Sequence, residues 1–305
     1  IKKGTVLRWG STIIKDGKTS IKIYYQNPTI GADIIKPGLK YKLNTPIGQV
    51  DFVSLMLALF LGTASLPHIL IRYYTVPNPA AARKSTIVAI AAIGLFYVLT
   101  LFMGLGAMTN GVLDLGNDNM SAPLLAKSFG IAIFAIISAI AFATVLGTVS
   151  GLIVASSGAV AHDFMDRFLN MKLSESKKVL AGKLSAVGVG IIAIILGMMF
   201  KGVNVSFLVG WAFAVAASAN LPAIIMILFW KRTTAKGVAA SIFVGLFSSL
   251  GLLLLSPTAF SDVYHTTAVA PVPFNNPAII SVPVSFITLI IVSLTTKKDE
   301  KVKQA

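Results

Sequence analysis

Cysteine is absent from this chain of 305 residues, which excludes disulfide frameworks and thiolate metal sites. Charge is scarce as well. Only 12% of residues are Asp, Glu, Lys or Arg, against roughly 25% in soluble domains. A soluble protein of this length needs a charged surface that this chain does not supply. The three histidines, His68, His162 and His265, lie far apart in sequence, which argues against a histidine metal cluster. No P-loop occurs, and the apolar runs carry no paired carboxylates. The stretch Gly147-Thr148-Val149-Ser150-Gly151 has no strand context for a nucleophile elbow. Nothing here supports an enzyme or an ATP-driven pump, and no cofactor is expected.

Long apolar runs dominate instead. The chain is 55% hydrophobic, with a mean hydropathy of +0.83. Residues 52–71, 85–113, 128–161, 202–230 and 237–261 contain no Asp, Glu, Lys or Arg. A helix needs about 20 residues to cross a hydrocarbon core of roughly 30 Å, so this is a polytopic helical membrane protein. Seven spans are predicted, at about 48–71, 86–109, 129–160, 180–200, 205–230, 236–255 and 278–296. The third is too long for one perpendicular helix, so it must tilt or extend beyond the lipid.

The loops fix a direction. Fifteen Lys and Arg follow spans 1, 3 and 5 or lie in the C-terminal tail, among them Arg72, Arg83, Lys84, Lys231, Arg232 and Lys236. The loops after spans 2, 4 and 6 hold only Lys127 and Lys201. By the positive-inside rule the basic side, including the tail at 297–305, is cytoplasmic. Residues 1–46 carry nine basic residues yet fall on the outer side, as a long loop that translocates with less regard to charge. Alternation over Ser20–Tyr25 and the turn signal Lys15-Asp16-Gly17 suggest a β-hairpin there. A nucleic-acid-binding arm is the rival reading of those basic residues. Attraction to lipid headgroups is preferred, and no nucleic-acid partner is expected.

The first span holds the most informative stretch. Its apolar run dips into Gly62-Thr63-Ala64-Ser65 and Pro67-His68, then stops on Arg72. Small residues and a proline in mid-span suggest a helix that breaks inside the bilayer, where freed backbone binds an ion or solute, with Pro67 merely kinking a packed helix as the alternative account. The whole block, Gly62-Thr63-Ala64-Ser65-Leu66-Pro67-His68-Ile69-Leu70-Ile71-Arg72-Tyr73-Tyr74-Thr75-Val76 followed by Ala82-Arg83-Lys84-Ser85, resembles the sodium:solute symporter family, most closely its cation/acetate (monocarboxylate) branch. Ala141–Gly151, running on to His162-Asp163-Phe164, and Phe229-Trp230-Lys231-Arg232-Thr233-Thr234 before Gly237 are similar to further features of that family.

The resemblance implies a LeuT-like core of two inverted five-helix repeats. Residues 47–230 would form the second repeat, 231–296 two peripheral helices and 297–305 a basic tail. The chain starts at Ile1, without an initiator Met or a signal-peptide pattern, and the first repeat is not represented. It therefore reads as a fragment or processed chain whose N-terminal partner half is missing. The implied function is the C-terminal part of a sodium-coupled symporter for a small monocarboxylate such as acetate, in the cytoplasmic membrane. A symporter for proline, pyruvate or lactate, a non-transporting subunit or sensor, and a channel stay open as alternatives.

Two candidate sites follow. Thr144 and Thr148 are four apart, so both project from one face of the third span. By the resemblance, Thr144, Gly147 and Thr148 contribute to the sodium site, with Thr148 the leading side-chain ligand. Gly147 lacks a hydroxyl that relatives often carry. Close helix packing or bonding to the i−4 carbonyl is the alternative account of these small and hydroxyl residues. Gly62, Thr63 and Ser65, at the presumed break, are the candidate substrate contacts. His68 is read as a proton sensor, an anion contact or a neutral hydrogen-bonded residue. Asn204 and Asn220 give the fifth span internal polarity as structural glue, and Asp51 is placed at the interface.

Overall fold

The computed structural model describes residues 6–7, 12–16, 19–23, 29–30, 43–70, 73, 75–112, 114, 118–169, 171, 174–200 and 203–297, with backbone alone before residue 43 and at 118, 162–163 and 166–168. Seven helices are long and apolar enough to cross a membrane: Pro46–Leu70, Pro79–Thr109, Ile131–Ala161, Glu175–Met199, Val205–Phe229, Ala235–Leu254 and Ala278–Thr295. Each coincides with one predicted span. The chain is an integral membrane protein.

The first crossing consists of α1 (Pro46–Thr63) and α2 (Pro67–Leu70). The others are α3 (Pro79–Thr109), α5 (Ile131–Gly158), α6 (Glu175–Met199), α7 (Val205–Phe229), α8 (Ala235–Leu254) and α9 (Ala278–Thr295), while α4 (Ser121–Ser128) is a short connecting helix. Capping explains where several begin. Asn78 Oδ1 accepts from Ala81 N at 2.8 Å ahead of Pro79, so α3 starts six residues before the charge-free run that begins at residue 85. Thr45 and Thr234 cap α1 and α8 in the same way, each through its hydroxyl oxygen at 3.1 Å. Asn204 is the cap of α7, its Oδ1 accepting from Ser206 N at 2.8 Å, rather than an internal polar residue of that span.

The chain divides into two compact units, with one boundary inside α5. The first comprises residues 1–42 and 78–148. Its strands pair antiparallel: β2 (Thr12–Asp16) with β3 (Thr19–Ile23), Ile14 opposite Ile21, and β1 (Val6–Leu7) with β4 (Thr29–Ile30). In the same unit α4 lies against the end of α3, where Leu125 reaches Gly106. Along the rest of α3 the large apolar side chains are exposed, as expected where the solvent is lipid or another helix.

The second unit comprises residues 43–77 and 149–305. At its centre α7 packs against α1, α8 and α9. The seam is written in small residues every fourth position: Ser54, Ala58 and Gly62 on α1, and Gly237, Ser241, Gly245 and Ser249 on α8. Without a hydrophobic force between helices in lipid, such residues gain dispersion energy by letting backbones touch. A Cβ on Gly245 would collide with the Ser218 carbonyl of α7, and one on Gly237 with Ser293 of α9. Hydroxyls add cross-helix bonds, with Ser218 and Ser281 oxygens 2.6 Å apart and Ser285 Oγ donating to Ser241 O at 2.9 Å.

The N-terminal part of α1 is fastened to the loop before α9. Asp51 Oδ1 accepts from the backbone N–H groups of Asn275 at 2.9 Å and Asn276 at 2.8 Å. Ser54 Oγ donates to Asn276 O and accepts from Ile279 N at 3.0 Å. Asn275 also accepts from Trp211 Nε1 at 3.1 Å and Thr258 Oγ1 at 2.7 Å. Asp51 is thus a clasp between elements as well as a residue near a helix end.

Candidate functional site

The helix break expected in the first span is present. α1 stops at Thr63, residues 64–66 leave the helix, and α2 restarts at Pro67. Proline carries no N–H, so the Thr63 carbonyl loses the amide that an unbroken helix would supply four residues on. Ser65 N bonds back to Gly62 O at 2.9 Å, closing the last turn. Leu66 N–H finds no acceptor among the described residues.

The three candidate substrate residues gather here but differ in what they present. Gly62 is buried against α7, where a Cβ would stand 2.6 Å from Phe213 O. Its smallness serves the crossing of α1 over α7. Ser65 is fully buried, and its hydroxyl donates to Leu61 O at 3.0 Å and Gly62 O at 3.1 Å, capping α1. Thr63 is exposed, with Oγ1 donating to Leu59 O at 2.6 Å. A hydroxyl bonded to its own helix still offers lone pairs, and rotation about χ1 frees the proton.

One residue of the break belongs to another helix. Asn220 of α7 donates from Nδ2 to Ser65 O at 3.1 Å, satisfying a carbonyl released by the interruption. Its Oδ1 has no partner among the described residues. From the sequence alone Asn220 reads as helix glue. The available signal was an amide two residues before Pro222 in an otherwise apolar span, but nothing in the sequence identified its partner.

Thr144, Gly147 and Thr148 all lie on α5 and are exposed within the protein. Thr144 Oγ1 donates to Ile140 O at 2.8 Å, and Thr148 Oγ1 to Thr144 O at 3.1 Å. Both hydroxyl protons therefore point back along the helix, leaving oxygen lone pairs outward. That is the polarity a hard cation requires of a hydroxyl ligand. A Cβ on Gly147 would meet nothing within 4 Å, so packing inside the unit does not demand glycine there.

At its C-terminal end α5 passes into a π-helical stretch, Ala159–Phe168, which contains His162 and Asp163, whose side chains lie outside the described residues. His68 sits half-buried in α2 with no hydrogen bond among the described residues. No group of three or more His, Asp or Glu able to hold a metal occurs among the described residues.

Over residues 11–245 the chain matches the sodium:solute symporter family. It is 44% identical over 279 residues to a protein of Corynebacterium glutamicum named monocarboxylic acid transporter, covering 87% of this chain and 50% of that protein. It is 42% identical over 267 residues to the uncharacterized symporter YwcA of Bacillus subtilis, covering 85% of this chain and 51% of that one. The chain thus spans about half the length of the curated relatives it matches. No solved structure matches it.

Proposed function

Because the chain belongs to the sodium:solute symporter family, we propose that it is the C-terminal part of a sodium-coupled symporter for a small monocarboxylate such as acetate. Residues 47–230 then serve as the second five-helix repeat of a LeuT-like core, residues 231–296 as peripheral helices, and the basic tail faces the cytoplasm. The observation that carries this reading is the interruption of the first crossing at residues 64–66. A carboxylate needs donors in a site that holds little water; in this reading the Leu66 N–H, which has no acceptor among the described residues, and the exposed Thr63 hydroxyl serve as those donors. The name borne by the Corynebacterium glutamicum relative supports the solute class.

In this reading sodium is carried with the solute and contacts α5, with Thr148 Oγ1 and the backbone near Thr144 and Gly147 as oxygen donors. The inward sodium gradient favours the state that accepts solute from outside, and joint release inside completes the cycle. Coupling requires that sodium bind that state better than the other, by the factor through which it raises solute affinity. The test is sodium-dependent acetate binding by the full-length protein and its Thr148→Ala variant. Loss of a side-chain oxygen ligand predicts a higher sodium concentration at half-saturation, with unchanged maximal binding. Unchanged sodium dependence removes Thr148 from the site, and no acetate binding by the parent protein refutes the solute assignment.

A further inference from the structure

The turn between α7 and α8 is docked on the C-terminal end of α9. Arg232 donates from Nη2 to Thr296 O at 3.1 Å and Leu294 O at 3.4 Å, capping the carbonyl end of that helix. Thr234 Oγ1 lies 2.8 Å from Thr296 Oγ1, and Thr234 N donates to Ser293 Oγ at 3.3 Å. These bonds gather Lys231, Lys236 and Lys297 at one end of the bundle. Arg232 is held at the helix end through Nη2, while its Nη1 is buried with no partner among the described residues. The three lysines are exposed, with no ion pair or hydrogen bond among the described residues. No acidic residue occurs in 176–261 or 263–298; Asp299 and Glu300 follow in the tail, beyond the described residues.

Beneath this ledge the helices turn apolar side chains outward: Leu228 is 70% exposed, Phe229 81% and Leu294 56%. Exposed cations at a helix end, near apolar side chains that are exposed among the described residues, match an amphiphile with a negative headgroup and hydrocarbon tails. We propose that this ledge is a binding site for an anionic phospholipid, its phosphate on Lys231, Lys236 and Lys297 and its acyl chains along Leu228, Phe229 and Leu294. Each interfacial lysine is worth roughly a fivefold preference for anionic over zwitterionic lipid. The ledge is independent of which solute the protein moves.

The experiment uses the full-length protein in nanodiscs of phosphatidylcholine containing a minority of spin-labelled phosphatidylglycerol. The expected result is an immobilised phosphatidylglycerol population that labelled phosphatidylcholine does not show. It should fall at least tenfold in the Lys231→Gln/Lys236→Gln/Lys297→Gln variant, and persist in the corresponding triple arginine variant and in Lys127→Gln. Equal immobilisation of both lipids by the parent protein, or retention of phosphatidylglycerol by the triple glutamine variant, overturns the proposal. Size-exclusion profiles confirm that each variant is folded, since the three side chains are exposed.

Discussion

Replacing Gly62 by alanine tests whether the helix break is held by packing against α7. The added Cβ would lie 2.6 Å from both Phe213 Cβ and Phe213 O, and 2.8 Å from Phe213 Cα. Non-bonded carbons rest about 3.5–4.0 Å apart, so α1 and α7 must part by roughly 1 Å. Backbone cannot rotate away as a side chain can. Overpacking of this kind costs about 1–3 kcal/mol, and alanine returns up to ~1 kcal/mol of helix propensity. A net loss of about 1–2 kcal/mol is expected. The same substitution at Gly251 of α8, where nothing lies within 4 Å, supplies the control and should be neutral or stabilising. Equilibrium unfolding in mixed micelles compares the two, with acetate binding measured alongside. Separation of α1 from α7 also strains the Asn220–Ser65 bond, so affinity should fall together with stability. A Gly62→Ala protein as stable as Gly251→Ala would refute the crossing geometry.

Two further substitutions address the polar ties. Asn220→Ala removes the donor to Ser65 O and leaves a part-buried carbonyl unpaired, at a cost of about 1–3 kcal/mol. The acetate concentration giving half-maximal uptake should rise severalfold while expression is kept, with partial recovery in Asn220→Gln; an unchanged value would remove Asn220 from the break. Asp51→Ala strips the acceptor shared by the Asn275 and Asn276 amides and should destabilise by about 2 kcal/mol or more. Protease cleavage in the 264–277 loop should then accelerate in vesicles, and an unchanged cleavage rate would show that the clasp holds nothing.

Much of the membrane architecture is legible because apolar run length is a direct physical requirement of the bilayer. Seven runs gave seven helices, and the proline at 67 marked the interruption. Hydropathy underestimated helix length at two starts. Residues 79–85 of α3 and 175–178 of α6 are helical yet polar or small, and they run back to the N-cap positions Asn78 and Ser174. The i−4 hydroxyl bonds of Thr144 and Thr148 were anticipated as one of two accounts, and their geometry is compatible with both.

Relations between distant residues were not legible. The Asn220–Ser65 bond spans 155 residues and the Asp51–Asn276 bond 225. Neither has a local signature, since an amide in a helix or a carboxylate near its end fits many environments. The four-residue spacing of Gly237, Ser241, Gly245 and Ser249 was visible in the chain. Its meaning as a contact face emerged only with α9 and α7 packed against it.

The most direct test of the central claim is uptake of radiolabelled acetate into proteoliposomes containing the full-length protein, with and without an inward sodium gradient. The account predicts accumulation that requires the gradient, collapses with a sodium ionophore and is competed by unlabelled acetate. Uptake indifferent to sodium, or no uptake from a protein shown to be folded and inserted, would contradict it.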